Sequence, residues 1–110
     1  MKYLLLVCRD PAFKTEPAVI VPTLEAWDAD VSSRGVKVHG HHLAAPSTSV
    51  TVRVRGDEVI VTDGPFAETK EHIAGFDIME CTSMEEAVEE ARHHPLARYG
   101  SIDVRAFGED

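Results

Sequence analysis

Val61 to Glu71 reads VTDGPFAETKE, a stretch in which an aspartate, two glutamates and a lysine surround a Gly-Pro break and one phenylalanine. Asp63, Glu68, Lys70 and Glu71 are groups that can take up, release or balance a proton at a small charged substrate. Gly64 can adopt backbone angles closed to other residues, and Pro65 fixes its own φ and presents no N–H, so Asp63 stands at the mouth of a turn. Phe66 is the one bulky apolar side chain there. His39, His41 and His42 form a second group of candidates. Strand alternation puts His39 and His41 on one face and His42 on the other. Two histidines at i, i+2 could share a metal, but the sequence places no third ligand and contains neither HExxH nor CxxC, so no metal is assigned.

The chemistry these residues permit is acid–base work on a small organic acid, of the lyase or isomerase kind, with no cofactor. Asp63 would be the base or acid, with His41 or Glu68 as its proton partner. Lys70 or Arg53 would hold the substrate carboxylate, beside Phe66 and Gly64. Asp63 also has a purely structural role open to it, since an Asp before Gly commonly caps its own turn.

Several elements must position these groups. Val50 to Thr62 reads as a hairpin closed by Gly56-Asp57, which pairs Arg55 with Glu58, Val54 with Val59, Val52 with Val61 and Val50 with Asp63. The valines then share one face with Asp63, and an apolar face points Asp63 inward. Tyr3 to Val7 is a continuous apolar run, the pattern of a central strand. Ala12 to Val21, with its prolines, reads as a loop whose apolar patch packs down onto its own domain, the commoner outcome, or covers a pocket or a partner subunit. Thr23 to Arg34 reads as a helix with Leu24, Trp27 and Val31 on one stripe and Gly35 as its stop. Val36 to Leu43 is the histidine strand. His72 to Cys81, apolar on both faces, belongs beside the first strand, and Gly75 within it signals a close approach. Ser83 and Glu86 spell a capping box for a second helix with Met84, Ala87, Val88 and Ala91 as its stripe; Arg92, His93 and His94 suit its C-terminal dipole. Ile102, Val104 and Ala106 alternate in a last strand.

The resulting order is βαββ(β)αβ, an α+β domain over residues 1–110 with an antiparallel sheet and two helices on one face. The other face needs a cover, which predicts a homodimer. Eleven basic against nineteen acidic residues give a formal charge of -8, which disfavours direct contact with nucleic acid. No apolar run is long enough to span a bilayer, and the chain enters its first strand without a leader-like segment, so it is read as cytoplasmic, with no membrane partner and with Cys8 and Cys81 as reduced thiols. Arg55-Gly56-Asp57 is a turn and not an adhesion signal.

The string Asp63 to Glu71, D-G-P-F-x-E-T-K-E, resembles the hallmark of the DGPF branch of the YCII-related proteins. The resemblance runs over nearly the whole chain, through MKYLLLV, LAAPSTSVTVRV, Gly75-Phe76 and the final SIDVR. It implies a ferredoxin-like domain of the dimeric α+β barrel type, and it implies no particular reaction, because the branch has no agreed substrate. Distant YCII relatives suggest dehydrohalogenase-like chemistry with a histidine on the first helix and an aspartate in a D-P turn after the second. Here the first helix has no histidine and His94 precedes Pro95, so that pair is not carried over. Some DGPF proteins resemble partners of alternative sigma factors or are joined to them. That implies a second reading, a non-catalytic small-ligand-binding or accessory module acting through such a partner.

Overall fold

A computed structural model describes residues 1–67 and 69–108. Glu68, one of the catalytic candidates, lies outside the described residues. The chain forms β1 (Lys2–Arg9), α1 (Pro17–Ser33), β2 (Lys37–His42), β3 (Val50–Arg55), β4 (Glu58–Asp63), β5 (His72–Glu80), α2 (Met84–Arg92) and β6 (Gly100–Ala106), with 3-10 turns at Pro46–Thr48 and Pro95–Arg98. Four strands make an antiparallel sheet in the order β2-β5-β1-β6, the ferredoxin-like arrangement, and β3-β4 stand apart as a two-stranded sheet. No helix among the described residues is long and apolar enough to cross a membrane.

The two apolar runs become the two central strands because only there are both faces of a strand available for burial. Tyr3, Leu5 and Val7 of β1 face the helices, opposite Met79, Asp77 and Gly75 of β5. Trp27 and Val31 of α1 and Ala87 and Ala91 of α2 complete that layer, with Ile102 and Val104 of β6 at its margin. Leu4, Leu6, Phe76 and Ile78 lie on the opposite face, where no layer of the described chain covers them, and are only half-buried.

Two sequence expectations need correction. The first helix begins at Pro17, not Thr23, so residues 17–21 are helix and not loop. Pro17 sits in the first turn, where the missing N–H has no helical partner in any case. Pro22 lies inside the helix and leaves the Ala18 carbonyl without its donor, but Ala18 is exposed and water can serve that carbonyl. The second correction concerns the hairpin. Its register is as the Gly-Asp turn predicts, from Val50↔Asp63 to Arg55↔Glu58. Gly56 at φ +61 followed by Asp57 at negative φ fits a type II′ turn. The valine face, however, stays uncovered among the described residues: Val50, Val52, Val54, Val59 and Val61 are 56–63% exposed, and Asp63 at its end is exposed instead of inward.

The second helix starts on its cap as expected, with Glu86 N–H donating to Ser83 Oγ at 3.2 Å. Glu86 reciprocates one residue further back, accepting from the Thr82 N–H at 3.3 Å and from the Thr82 hydroxyl. Leu5, Met79 and Val31 are the largest side chains wholly shut from solvent. Leu5→Ala should therefore cost about 2–5 kcal/mol, by lost transfer energy and the cavity left behind. Urea unfolding of the two proteins, followed by circular dichroism, measures it; a loss below 1 kcal/mol, roughly that of a surface change, would contradict the packing described.

Candidate functional site

Alternation along β5 puts Asp77 on the helix-covered face between Gly75 and Met79, where an apolar residue would ordinarily sit. A carboxylate there needs partners, because removing it from water is costly. Lys37 supplies one from β2, with its Nζ 3.4 Å from Asp77 Oδ1 and also bonded to Asp28 of α1. His94, just after α2, supplies a neighbour on the other side, with Nε2 3.9 Å from Asp77 Oδ2. That separation is too long for a hydrogen bond and leaves a gap between the two groups. His94 Nδ1 accepts the Leu96 N–H at 3.1 Å, so the neutral ring carries its proton on Nε2, toward Asp77.

The backbone makes room for this cluster. Gly40 of β2 lies opposite Asp77, and a Cβ there would collide with Asp77 Oδ1 and come within 2.7 Å of Phe76 O. Gly75 does the same at the adjoining position, where a Cβ would sit 2.9 Å from His41 O, the close approach its position in the strand foretells. Trp27 closes the site from α1. Its ring is 4.6 Å from that of His94, and its Nε1 donates to Glu90 O at 3.2 Å, which ties α1 to α2. Between these groups is a cavity of about 330 Å³, walled by Val7, Leu24, Trp27, Lys37, Asp77 and His94 and bordered by His41 and His42.

Burial pushes the Asp77 carboxyl up to about 6, and Lys37 offsets only some of that rise. Burial likewise pulls His94 down to about 4, helped by the charge of Lys37. Lys37 is itself drawn down by burial but is held above the usual lysine range by its bond to Asp28 and the charge of Asp77. Near neutral pH the cluster is therefore a carboxylate, an ammonium and a neutral imidazole. A carboxylate that titrates near 6 is suited to proton transfer.

The candidates on the Asp-Gly-Pro-Phe segment lie elsewhere. Gly64, at φ +96, donates its N–H to Ser49 O at 2.7 Å and accepts from Thr51 Oγ1 at 2.8 Å. Arg53 Nη2 donates to Phe66 O at 3.1 Å. Lys70 Nζ lies 3.3 Å from Asp10 Oδ2, and Glu71 accepts from Ser101 Oγ at 2.7 Å. Asp10 is buried, accepts the Ala12 N–H at 2.9 Å, and is held below the usual carboxylate range by that bond and by Lys70. Thus Arg53, Lys70 and Glu71 tie the segment to β3, to the end of β1 and to β6. Phe66 is exposed and lines a wider cleft of about 650 Å³ with Leu43, Val50, Val52, Glu71 and His72; Asp63 is not among its lining residues. His41 is exposed, with Nδ1 2.7 Å from His42 O, and borders the smaller cavity instead. Of the candidates Asp63, Gly64, Phe66, Lys70, Arg53 and His41, the structure therefore puts only Phe66 on the wall of the cleft, with Gly64 and Arg53 bonded to residues beside it, and His41 apart from them.

Asp77, Lys37 and Trp27 were not singled out for chemistry by the sequence, and His94 was assigned to the helix dipole. The structure corrects the last point: His94 is buried under Trp27 and not a solvated C-terminal charge. One signal was available. Asp77 is the only acid between His72 and Met79, in a strand whose neighbours are apolar on both faces. Cys8 and Cys81 are unpaired, and burial pushes both thiols up, away from nucleophilic use. Among the described residues no three His, Cys, Asp or Glu side chains converge to hold a metal ion.

The family model of the YCII-related domain matches residues 1–108. An uncharacterized protein of Rhizobium meliloti (strain 1021) is 43% identical over 65 residues, which cover 57% of this chain and 52% of that protein. The chain thus matches about half the length of that relative. Among solved structures, 5-chloro-2-hydroxyhydroquinone dehydrochlorinase from Burkholderia phenoliruptrix AC1100, in complex with 2,5-dihydroxybenzoquinone, superposes with a TM-score of 0.55. It is 16% identical, and the match covers 100% of this chain and 96% of that one, a likeness of fold.

Asp77 and His94 have opposite effects on acid stability. Unfolded, His94 takes a proton near 6.5, but folded only near 4, so its contribution to stability is lost as pH falls through that window. Asp77 protonates near 6 when folded and near 3.8 when unfolded, so its protonation favours the fold as pH falls through the same window. The two oppose each other in the wild type. Asp77→Asn should leave the His94 slope alone and lose melting temperature on acidification from pH 6.5 to 4 more steeply than wild type, while His94→Gln should lose it less steeply. Parallel slopes for all three proteins would show that the two groups do not titrate as described.

Proposed function

This chain belongs to the YCII-related domain family, and we propose that it is an enzyme of the lyase or isomerase kind, moving a proton on a small organic acid without a cofactor in the cavity beneath α1. The observation that carries the reading is Asp77, a buried carboxylate raised to about 6 between an ammonium and a neutral imidazole, on the wall of a cavity of about 330 Å³. Asp77 takes a proton from a carbon beside a carbonyl, and the electron pair left behind is held as an enolate against the Lys37 ammonium. The pair then either accepts a proton at a neighbouring carbon, an isomerisation, or expels a leaving group from it, an elimination. Nε2–H of His94 can donate to the departing or carbonyl oxygen. Trp27 gives a flat apolar wall suited to a planar substrate.

The dehydrochlorinase of similar fold supports this choice of reaction class, and the planar hydroxyquinone bound to it supports the choice of substrate shape. The string Asp63 to Glu71 supports a place for the chain in the DGPF branch of the family. In this reading the segment is chiefly a brace, and Asp63, with Glu68, is the alternative catalytic set beside the wider cleft. The half-buried Leu4, Leu6, Phe76 and Ile78 support a homodimer formed through the uncovered sheet face. The exposed valines of the hairpin favour, as a second reading, an accessory module that works through a protein partner such as an alternative sigma factor.

Titration with 2,5-dihydroxybenzoquinone, pyruvate and maleate, read as melting temperature and as perturbation of the Trp27 indole resonance, tests the site. At least one probe should raise the melting temperature of the wild type and shift Trp27. Asp77→Asn should abolish the response, or cut turnover of a converted probe by about two orders of magnitude or more, with an acid limb near pH 6 in the wild type. Asp63→Asn should leave both intact. Loss of the response in Asp63→Asn with retention in Asp77→Asn would move the chemistry to the cleft and overturn the assignment.

A further inference from the structure

The cavity beneath α1 holds more negative charge than positive. Lys37 is bonded to Asp28 and lies 3.4 Å from Asp77, so one ammonium already serves two carboxylates. His94 is neutral near pH 7 and turns its Nε2–H toward Asp77. An organic acid entering this space would bring a third negative charge to one lysine, and like charges that close repel strongly where water is scarce. Lys37 is needed besides for the enolate, which it can hold once Asp77 has taken the proton and lost its charge. The carboxylate of such a substrate therefore requires a second cation, and among the described residues bordering the cavity only His41 and His42 remain to supply it.

These two histidines close β2, an edge strand of the main sheet. Strand alternation alone would send their rings to opposite faces. At the strand end the rings instead come together, with centroids 4.6 Å apart and planes inclined by 31°. A carbonyl only accepts, so the 2.7 Å contact between His41 Nδ1 and His42 O puts the proton of the neutral ring on Nδ1 and leaves an open lone pair on Nε2. A proton taken up there turns Nε2 into a charged donor for an anion. Both residues are exposed, and among the described residues the ring of His42 has no hydrogen-bond partner.

We propose that His41 and His42 form a carboxylate clamp at the mouth of the cavity, and that the substrate is a planar cyclic or conjugated acid whose carboxylate lies at the end remote from the carbon that Asp77 deprotonates. This clamp serves the Asp77 cavity and so rests on the function proposed above. Gly40 lies opposite Asp77, and His42 stands two positions further along β2, about 7 Å at the rise of a strand. Such a span suits a carboxylate carried across a ring, and not one adjoining the reacting carbon as in a 2-oxo acid. Val7, Leu24, Trp27 and Leu96 give the space between an apolar wall for the body of the substrate. The exposed mouth lets the carboxylate keep part of its hydration, which lowers the cost of binding a charged group.

Binding of 4-hydroxybenzoate and of 4-hydroxybenzamide tests the clamp, because the two differ in charge at the far end of one ring. Titrations of the full chain at pH 6.5 and low ionic strength, read at the indole resonance of Trp27, the single tryptophan, give both affinities. The wild type should bind the acid at least tenfold tighter than the amide, and tighter than pyruvate by a similar factor. His41→Ala/His42→Ala should bind acid and amide alike, within a factor of two, whereas His41→Ala/His42→Arg should restore a preference of at least threefold through its permanent charge. Both positions are exposed on a strand edge, and an unchanged far-UV circular dichroism spectrum checks that the variants keep the fold. Equal affinity of the wild type for acid and amide, or a preference that survives in His41→Ala/His42→Ala, would overturn the clamp and leave the Asp77 cavity standing. Failure of both ring probes to move the Trp27 resonance of the wild type would overturn the clamp and the cavity reading together.

Discussion

One carboxylate inside the layer between sheet and helices governs how this protein is built. Asp77 occupies a position that β5 would ordinarily give to an apolar side chain, and its neighbours answer to it. Lys37 bends in from the edge strand to meet it, and Asp28 meets Lys37 in turn from α1, so one buried charge orders a strand edge and a helix together. Gly40 leaves the space the carboxylate occupies. His94 and Trp27, their rings tilted against each other, close the layer above it. A buried ion pair of this kind is weak evidence for stability, because desolvation consumes much of the attraction, and hydrophobic substitutes often hold a fold better. Its position on a cavity wall makes function the more economical explanation.

Much of the fold was legible because period and punctuation agree locally. The hairpin register followed from Gly56-Asp57 and the alternating valines, and the start of α2 from Ser83 and Glu86. The central strands followed from apolar runs too short for a helix and too uniform for an edge. Two features escaped for physical reasons. Pro17 and Pro22 read as breakers, yet one occupies a first helical turn and the other frees a carbonyl that faces water, so neither carries its full penalty. The hairpin sequence fixes which residues pair but carries no information on whether the pair joins a larger sheet, and Asp63 was read as inward on that account.

The site was less legible than the fold, and the contrast between its two halves shows why. The Asp-Gly-Pro-Phe segment is conspicuous in sequence because its charges lie within a few positions of one another. In space those charges disperse, Lys70 to Asp10, Glu71 to Ser101 and Arg53 to the Phe66 carbonyl. Lys37, Asp77 and His94 are conspicuous only in space, because they come from three elements separated by the whole hairpin and the second helix. Proximity along the chain favours local bracing, whereas convergence from distant elements requires the complete fold.

The two-stranded sheet has a consequence for the life of the chain before it is fully assembled. Hairpins with tight turns form within about 1–10 μs, long before the pairing of β1 with β5 and β6 brings distant segments together. An early hairpin would present a valine band and two open backbone edges to every neighbouring nascent chain, which is the geometry of cross-strand aggregation. Its tip is the most heavily charged region, with Arg53, Arg55, Asp57 and Glu58 clustered about Gly56. Those four charges work as gatekeepers: they hinder an incoming strand from adding to either edge while leaving the flat apolar face with no charge but Asp63 at its far end.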